Sequence, residues 1–211
     1  MRFLPEGRPP AGLKEQDMVR SAATQLSDLD TPGDRLLVLD CVQGDRAAWR
    51  ILHRRYFPIA AALLRKLGVR ERELEDATQE VFLQMFRYLP SFRGESELKT
   101  WLYRLCITQA RRARRRRRVR EALHQVLSLA PEESLVSSPA FCEQTARRRI
   151  EKALACLSDG DRSVFVLYEM EGVSGKQIAE IVGCKEATLW RRLHYARKNF
   201  RDALEREETT P

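Results

Sequence analysis

Eight arginines fall within ten positions, Arg111 to Arg120, at the end of the stretch WLYRLCITQARRARRRRRVR (residues 101–120). Guanidinium groups at this density suit one kind of chemistry, pairing with the oxygens of a polyanion, either nucleic acid or an anionic membrane. Within a helix the same groups oppose one another. Four arginine pairs stand four residues apart (111/115, 112/116, 114/118 and 116/120). Each pair costs an isolated helix roughly 0.2–0.5 kcal/mol, so together about 1–2 kcal/mol. At 100° per residue the arginines surround the helix and leave no face to bury. The segment is therefore expected to extend beyond the core and to fray in the free protein. Phosphates would reverse the sign of the repulsion and release counterions, with log affinity falling by about 0.9 per phosphate contacted for each decade of salt.

Other chemistry is sparsely represented. The five cysteines (Cys41, Cys106, Cys142, Cys156 and Cys184) are odd in number and widely spaced, with no C-x-x-C. Most occupy apolar positions of helical patterns, which suits reduced core thiols in cytoplasm. His53, His124 and His194 are equally scattered and form no ligand set. There is no phosphate-binding glycine loop and no nucleophile–base set. No catalytic residue, metal or cofactor is expected, and a nucleic-acid enzyme is disfavoured.

The elements that must position the arginines are helical. The chain has 211 residues, a net charge of +8, a pI near 9.5 and 43% hydrophobic residues. That length fits one large or two small folded domains. The N-terminal twenty residues lack the apolar run of a secretory signal, and no segment approaches the length of a membrane span. Residues 1–33 are rich in Pro, Gly and polar residues and are expected to form a mobile arm. Beyond them, 3.6-residue periodicity dominates and no alternating strand pattern occurs. A helix carrying Leu36, Leu37 and Val42 stops at QGD; Asp45 is placed to cap the next, whose face is Ala48, Trp49, Leu52 and Tyr56. Pro58 is expected to break that helix or to start a new one. A further helix covers about 71–89, with Leu74, Ala77, Val81, Met85 and Tyr88 on a buried stripe that Phe82 and Phe86 widen. Such a band suits a deep core or a docking surface for another protein.

The segment GKQIAEIVGCKEATLWRRLHYARK has the pattern of a helix-turn-helix. Ile178, Val182, Cys184, Leu189 and Leu193 would share a seam, Ala179 would permit a close crossing, and Gly183 stands where the turn needs positive φ. The second helix would expose Glu186, Trp190, Arg191, His194 and Arg197, a face suited to the major groove. Lys185 occupies the N-cap, where Ser, Thr or Asp would be better by roughly 1 kcal/mol.

Two blocks carry a family resemblance. DATQEVFLQMFRYLPSFRGESELKTWLYRL resembles region 2 of bacterial RNA polymerase sigma factors of the extracytoplasmic-function (ECF) group. LSDGDRSVFVLYEMEGVSGKQIAEIVGCKEATLWRRLHYARKNFRDAL resembles their region 4. The resemblance implies an all-α chain of two small helical domains, region 2 at 34–121 and region 4 at 144–205, joined by a flexible linker at 122–143 and followed by a tail at 206–211. It implies that Asp76, Gln79, Glu80, Leu83 and Phe86 dock on the clamp helices of the polymerase β′ subunit. It implies that Phe92, Arg93, Gly94, Glu95, Ser96 and Thr108, with Arg111, Arg112 and Arg115, engage the −10 element. Lys185, Glu186, Thr188, Trp190, Arg191, Arg192, His194 and Arg197 would serve the −35 element, and region 4 would touch the polymerase β flap. An anti-sigma partner is also implied, as is action in the bacterial cytoplasm.

Three positions depart from the family pattern. Many members have Asn at the position of Thr108 and Asp at that of Arg112, and Trp190 replaces a commoner polar residue. Trp101 is expected to pack in the core rather than on DNA. A regulator that binds an operator without joining polymerase is the alternative, and it would leave the Phe82/Phe86 band and the arginine helix unassigned.

Overall fold

The computed structural model describes residues 32–92, 94, 96–126 and 143–209. The expected N-terminal arm up to Thr31, and the expected linker over 127–142, lie outside the described residues. Among the described residues the regular structure is helical throughout: α1 Pro32–Val42, α2 Arg46–Lys66, α3 Glu71–Tyr88, a 3₁₀ turn Leu89–Ser91, α4 Leu98–Val126, α5 Glu143–Ala155, α6 Asp159–Phe165 continuing into a π turn Val166–Met170, α7 Gly175–Val182 and α8 Glu186–Thr209.

Local chemistry accounts for most boundaries. The Asp45 carboxylate accepts the Ala47 amide at 2.7 Å and so caps α2. Pro58 does not break α2, contrary to the sequence expectation; the helix runs through it. Leu52, Tyr56, Ala60, Leu63 and Leu64 form one buried seam spanning the proline. Burying a Leu side chain is worth about 1.5–3 kcal/mol, so the seam outweighs the roughly 3 kcal/mol cost of an interior proline. Ser158 caps α6, and Ser174 with Gln177 forms a reciprocal capping box on α7. Gly183 closes α7 with φ +71°, as the turn of a helix-turn-helix requires.

The N-terminal unit packs α2, α3 and the first half of α4 around Leu64, Val81, Met85, Leu102 and Cys106, all fully buried. Tyr88, expected on the buried stripe, is 40% exposed; it is the last residue of α3, and the next buried side chain is Leu89 in the 3₁₀ turn. The C-terminal unit packs α6, α7 and α8 around Val164, Ile178, Leu189 and Leu193. The two units touch, α4 lying against α7, and their apolar interiors belong to one continuous cluster.

The arginine segment also departs from expectation. It is helical to Val126, so residues 122–126 of the expected linker belong to α4. Acidic partners, one on α4 itself and two from other elements, explain this. Arg114 and Arg118 pair with Asp159, Arg117 and Arg70 with Glu121, and Arg120 with Glu73. Each such pair contributes about 0–1 kcal/mol, so several together offset the 1–2 kcal/mol of repulsion. At the other end, α8 continues to Thr209 through most of the expected tail, and the Arg206 Nε donates to the Asp202 carbonyl at 3.1 Å.

Candidate nucleic-acid and protein interfaces

The outer face of α3 is apolar at its centre. Leu83 and Phe86 are 62% and 61% exposed. The Phe86 ring rests on Trp49 of α2 with centroids 4.9 Å apart, which holds it in place without covering it. Asp76 and Gln79 are exposed beside it and Glu80 is half-buried. Gln79 and Gln84 donate to Glu75 and Glu80 one turn back, ordering the polar rim. Phe82 does not share this surface: it is buried against His53 and Phe57, so the band expected from the sequence divides into one core ring and one surface ring.

The expected −10 residues divide as well. Phe92 is buried and packs on Trp101 with centroids 5.1 Å apart, so this pair anchors the loop to the core. Gly94 is buried and Ser96 half-buried, while Arg93 and Glu95 lie outside the described residues. Thr108 donates its hydroxyl to the Arg104 carbonyl at 2.9 Å, leaving the oxygen as an acceptor. Thr108, Arg111, Arg112 and Arg115 follow one another at helical spacing and share a face of α4. All three arginines are exposed. Desolvation, followed by the charge of Arg192 on α8, lowers the pKa of Arg111.

In the helix-turn-helix, Ile178, Leu189 and Leu193 form the buried seam, with Val182 and Cys184 partly buried beside it. The Lys185 carbonyl accepts the Thr188 and Leu189 amides, which places Lys185 at the start of α8 as expected. Lys185, Glu186, Trp190, Arg191, His194 and Arg197 are exposed, whereas Thr188 and Arg192 are half-buried. Two of the exposed residues are tied to their own domain. Arg197 pairs with Glu169 at 2.6 Å and lies over Tyr168. The Trp190 indole meets Tyr168 edge-on and covers Gly175, where a Cβ would come within 2.6 Å of the ring. Arg191 and His194 are exposed on the same side of α8, the His194 ring lying edge-on to Tyr195 at 5.6 Å.

A third cluster, which sequence reasoning missed, joins the units. Glu171, in the turn before α7, accepts from Lys66 Nζ and from the Tyr103 hydroxyl, each at 2.7 Å. Burial, reinforced by the hydrogen bond to Glu171, pushes the Tyr103 hydroxyl pKa up. Arg162 of α6 is buried, donates to the Lys66 carbonyl at 2.7 Å and so caps α2 from the other unit. Its guanidinium fills the space where Gly68 (φ +90°) has no Cβ, at 2.7 Å from that position. Burial, then the charges of Arg114 and Arg117, push its pKa down to about 10, which leaves it charged at neutral pH. These partners lie tens of residues apart, and no local pattern announces them.

Comparison with known proteins matches both units. Residues 52–120 match the Sigma-70 region 2 family and residues 147–200 match Sigma-70 region 4. The chain is 30% identical over 187 residues to the ECF RNA polymerase sigma-E factor of Haemophilus influenzae, covering 82% of this chain and 95% of that protein. It is 28% identical over 174 residues to the sigma-E factor of Escherichia coli K12, covering 78% and 91%. Among solved structures it is similar to the sigma factor RpoE of Bartonella quintana in complex with the anti-sigma factor NepR (TM-score 0.61, 25% identity, 74% of this chain and 96% of that one). Its fold also resembles that of CnrH in complex with the cytosolic domain of CnrY (TM-score 0.62, 22% identity, 82% and 97%).

Proposed function

The chain belongs to the ECF RNA polymerase sigma factors, and on that premise we propose that it binds core polymerase, directs it to promoters through −10 and −35 elements and promotes transcription initiation. It is not an enzyme; it lends an address to one. Residues 34–121 act as region 2 and 144–205 as region 4. The α3 face of Asp76, Gln79, Glu80, Leu83 and Phe86 docks on the β′ clamp helices. The loop from Phe92 to Ser96, with Thr108, Arg111, Arg112 and Arg115, engages the −10 element. The start of α8, led by Arg191 and His194, enters the −35 major groove, and region 4 also meets the β flap. An anti-sigma factor is the expected regulator, and the site of action is the bacterial cytoplasm, where the polymerase works. Among the described residues no helix is long and apolar enough to cross a membrane.

The observation that carries this reading is the pairing, on one chain, of a large exposed apolar patch at Leu83 and Phe86 with a basic helix-turn-helix. A regulator acting without polymerase would leave that patch unused, and the family membership does not favour it. Energetics place promoter opening in the assembled machine. Unstacking about ten base-pair steps at a mean near 1.4 kcal/mol costs on the order of 14 kcal/mol, more than two small salt-sensitive domains can supply. Permanganate footprinting tests both points at once. Promoter thymines should stay unreactive with the chain alone, become reactive with chain plus core polymerase, and fall silent again when Phe86→Glu replaces the native chain. Strong reactivity with the chain alone, or full activity of Phe86→Glu, would overturn the reading.

A further inference from the structure

We propose that Arg114 and Arg118 form a DNA-phosphate site that is occupied in cis by Asp159, so that the contact between the two units withholds part of the basic helix from DNA until they separate. This deepens, and rests on, the reading of α4 as a DNA-binding helix.

Asp159, the first residue of α6, receives both guanidinium groups: Arg114 at 2.8 Å on one carboxylate oxygen and Arg118 on the other. A carboxylate held by two arginines one turn apart offers them a pair of anionic oxygens, as a backbone phosphate does. The Arg114 side chain is only 11% exposed in this arrangement, and its Nε is buried without a protein acceptor. The site is therefore filled but not saturated, and a phosphate, with more acceptor oxygens, is the better partner.

The surrounding joint keeps Asp159 in place and is itself short of negative charge. Arg114, Arg117, Arg118, Arg162 and Lys66 converge on it, against Asp159, Glu171, the Glu121 that pairs with Arg117, and the Glu151 whose charge acts on Arg162. The repulsion among Arg114, Arg117 and Arg162 contributes to the lowered pKa of Arg162. A joint of this composition loosens when a polyanion competes for its cations.

Distance requires that it open. Elements 10 and 35 positions upstream of a start site are about 25 base pairs apart, roughly 85 Å of duplex at 3.4 Å per step. A compact chain of this length has a radius of gyration of about 17 Å and is on the order of 45 Å across. The closed arrangement cannot reach both elements, so Asp159 must leave Arg114 and Arg118 when both are engaged.

The test compares the full-length native chain with Asp159→Asn and Glu171→Gln, each checked for native helicity and cooperative melting. Readouts are the distance between dyes on α3 and α8 and the salt dependence of binding to promoter duplex without polymerase. The variants should show a longer inter-unit distance and tighter duplex binding. Their log affinity should fall more steeply with log salt, by about 1–2 in slope, corresponding to one or two more phosphates at 0.9 each. Adding Arg114→Gln and Arg118→Gln to Asp159→Asn should return the slope to the native value while the units stay apart. Native spacing in both variants, or separation with an unchanged slope, overturns the proposal. The native chain is assayed in parallel for transcription with core polymerase. If it starts RNA at defined sites while the variants match it in distance and slope, only the cis-occupied site fails. If it starts none, the functional premise fails.

Discussion

The N-terminal and C-terminal units treat their exposed aromatic residues in opposite ways. On α3, Phe86 rests on one neighbouring ring and leaves 61% of its surface open beside an equally open Leu83. On α8, Trp190 is 44% exposed but lies across Gly175 and against Tyr168, so its exposed part is the back of a ring already packed on its own domain. An aromatic side chain left open on a helix is a hydrophobic payload waiting for a partner. One folded over a glycine braces the turn, and in the function proposed above the contact with bases falls to its neighbours Arg191 and His194. One unit thus exposes apolar surface, which we assign to a protein partner, the other exposes cations, which we assign to DNA, and the two are clasped by an ionic joint between them.

Substitutions can break one half of this comparison while sparing the other. The largest effect is expected for Phe86→Glu combined with Leu83→Glu. Two central apolar anchors at about 2 kcal/mol each would weaken binding to core polymerase by roughly a thousandfold in a fluorescence competition assay. Binding to a −35 duplex should be unchanged, because neither residue belongs to the C-terminal unit. Next in size is Arg191→Ala, expected to cost about 1–3 kcal/mol in −35 recognition and to relax preference at one base position in a binding-and-sequencing selection. Polymerase affinity should not move.

The smallest effect sharpens the role of the turn. Ser174→Ala removes the side-chain half of the α7 capping box, in which the Ser174 hydroxyl accepts the Gln177 amide at 3.4 Å, and leaves the backbone amide of residue 174 to donate to the Gln177 side chain. A loss of about 1 kcal/mol is expected, read as a lower melting temperature with native helicity retained.

Local pattern made much of this visible in the sequence. The Asp45 cap, the Gly183 turn, the Ile178–Leu189–Leu193 seam and the stripe from Leu74 to Met85 depend on residues within two or three turns of one another, and each is where periodicity puts it. The failures share a different cause. Phe82 and Phe86 lie one turn apart on α3, and only the position of α2, with His53 and Phe57 against one ring and Trp49 against the other, decides which is buried. The arginine helix looked self-repelling because Asp159, Glu121 and Glu73 reach it from other turns and other elements. Pro58 looked like a break because the burial of Leu63 and Leu64 beyond it is a property of the assembled core. The ionic joint was hidden for the same reason, as Lys66, Tyr103, Arg162 and Glu171 become neighbours only once both units have folded.

The most direct measurement is transcription by core polymerase reconstituted with this chain on a library of randomised promoters, with sequencing of the RNA 5′ ends. Starts should cluster at fixed distances downstream of two recurring elements and vanish when the chain is omitted. Starts scattered without a shared upstream pattern, or a profile identical to that of core polymerase alone, would contradict the assignment of promoter choice to these two helical units.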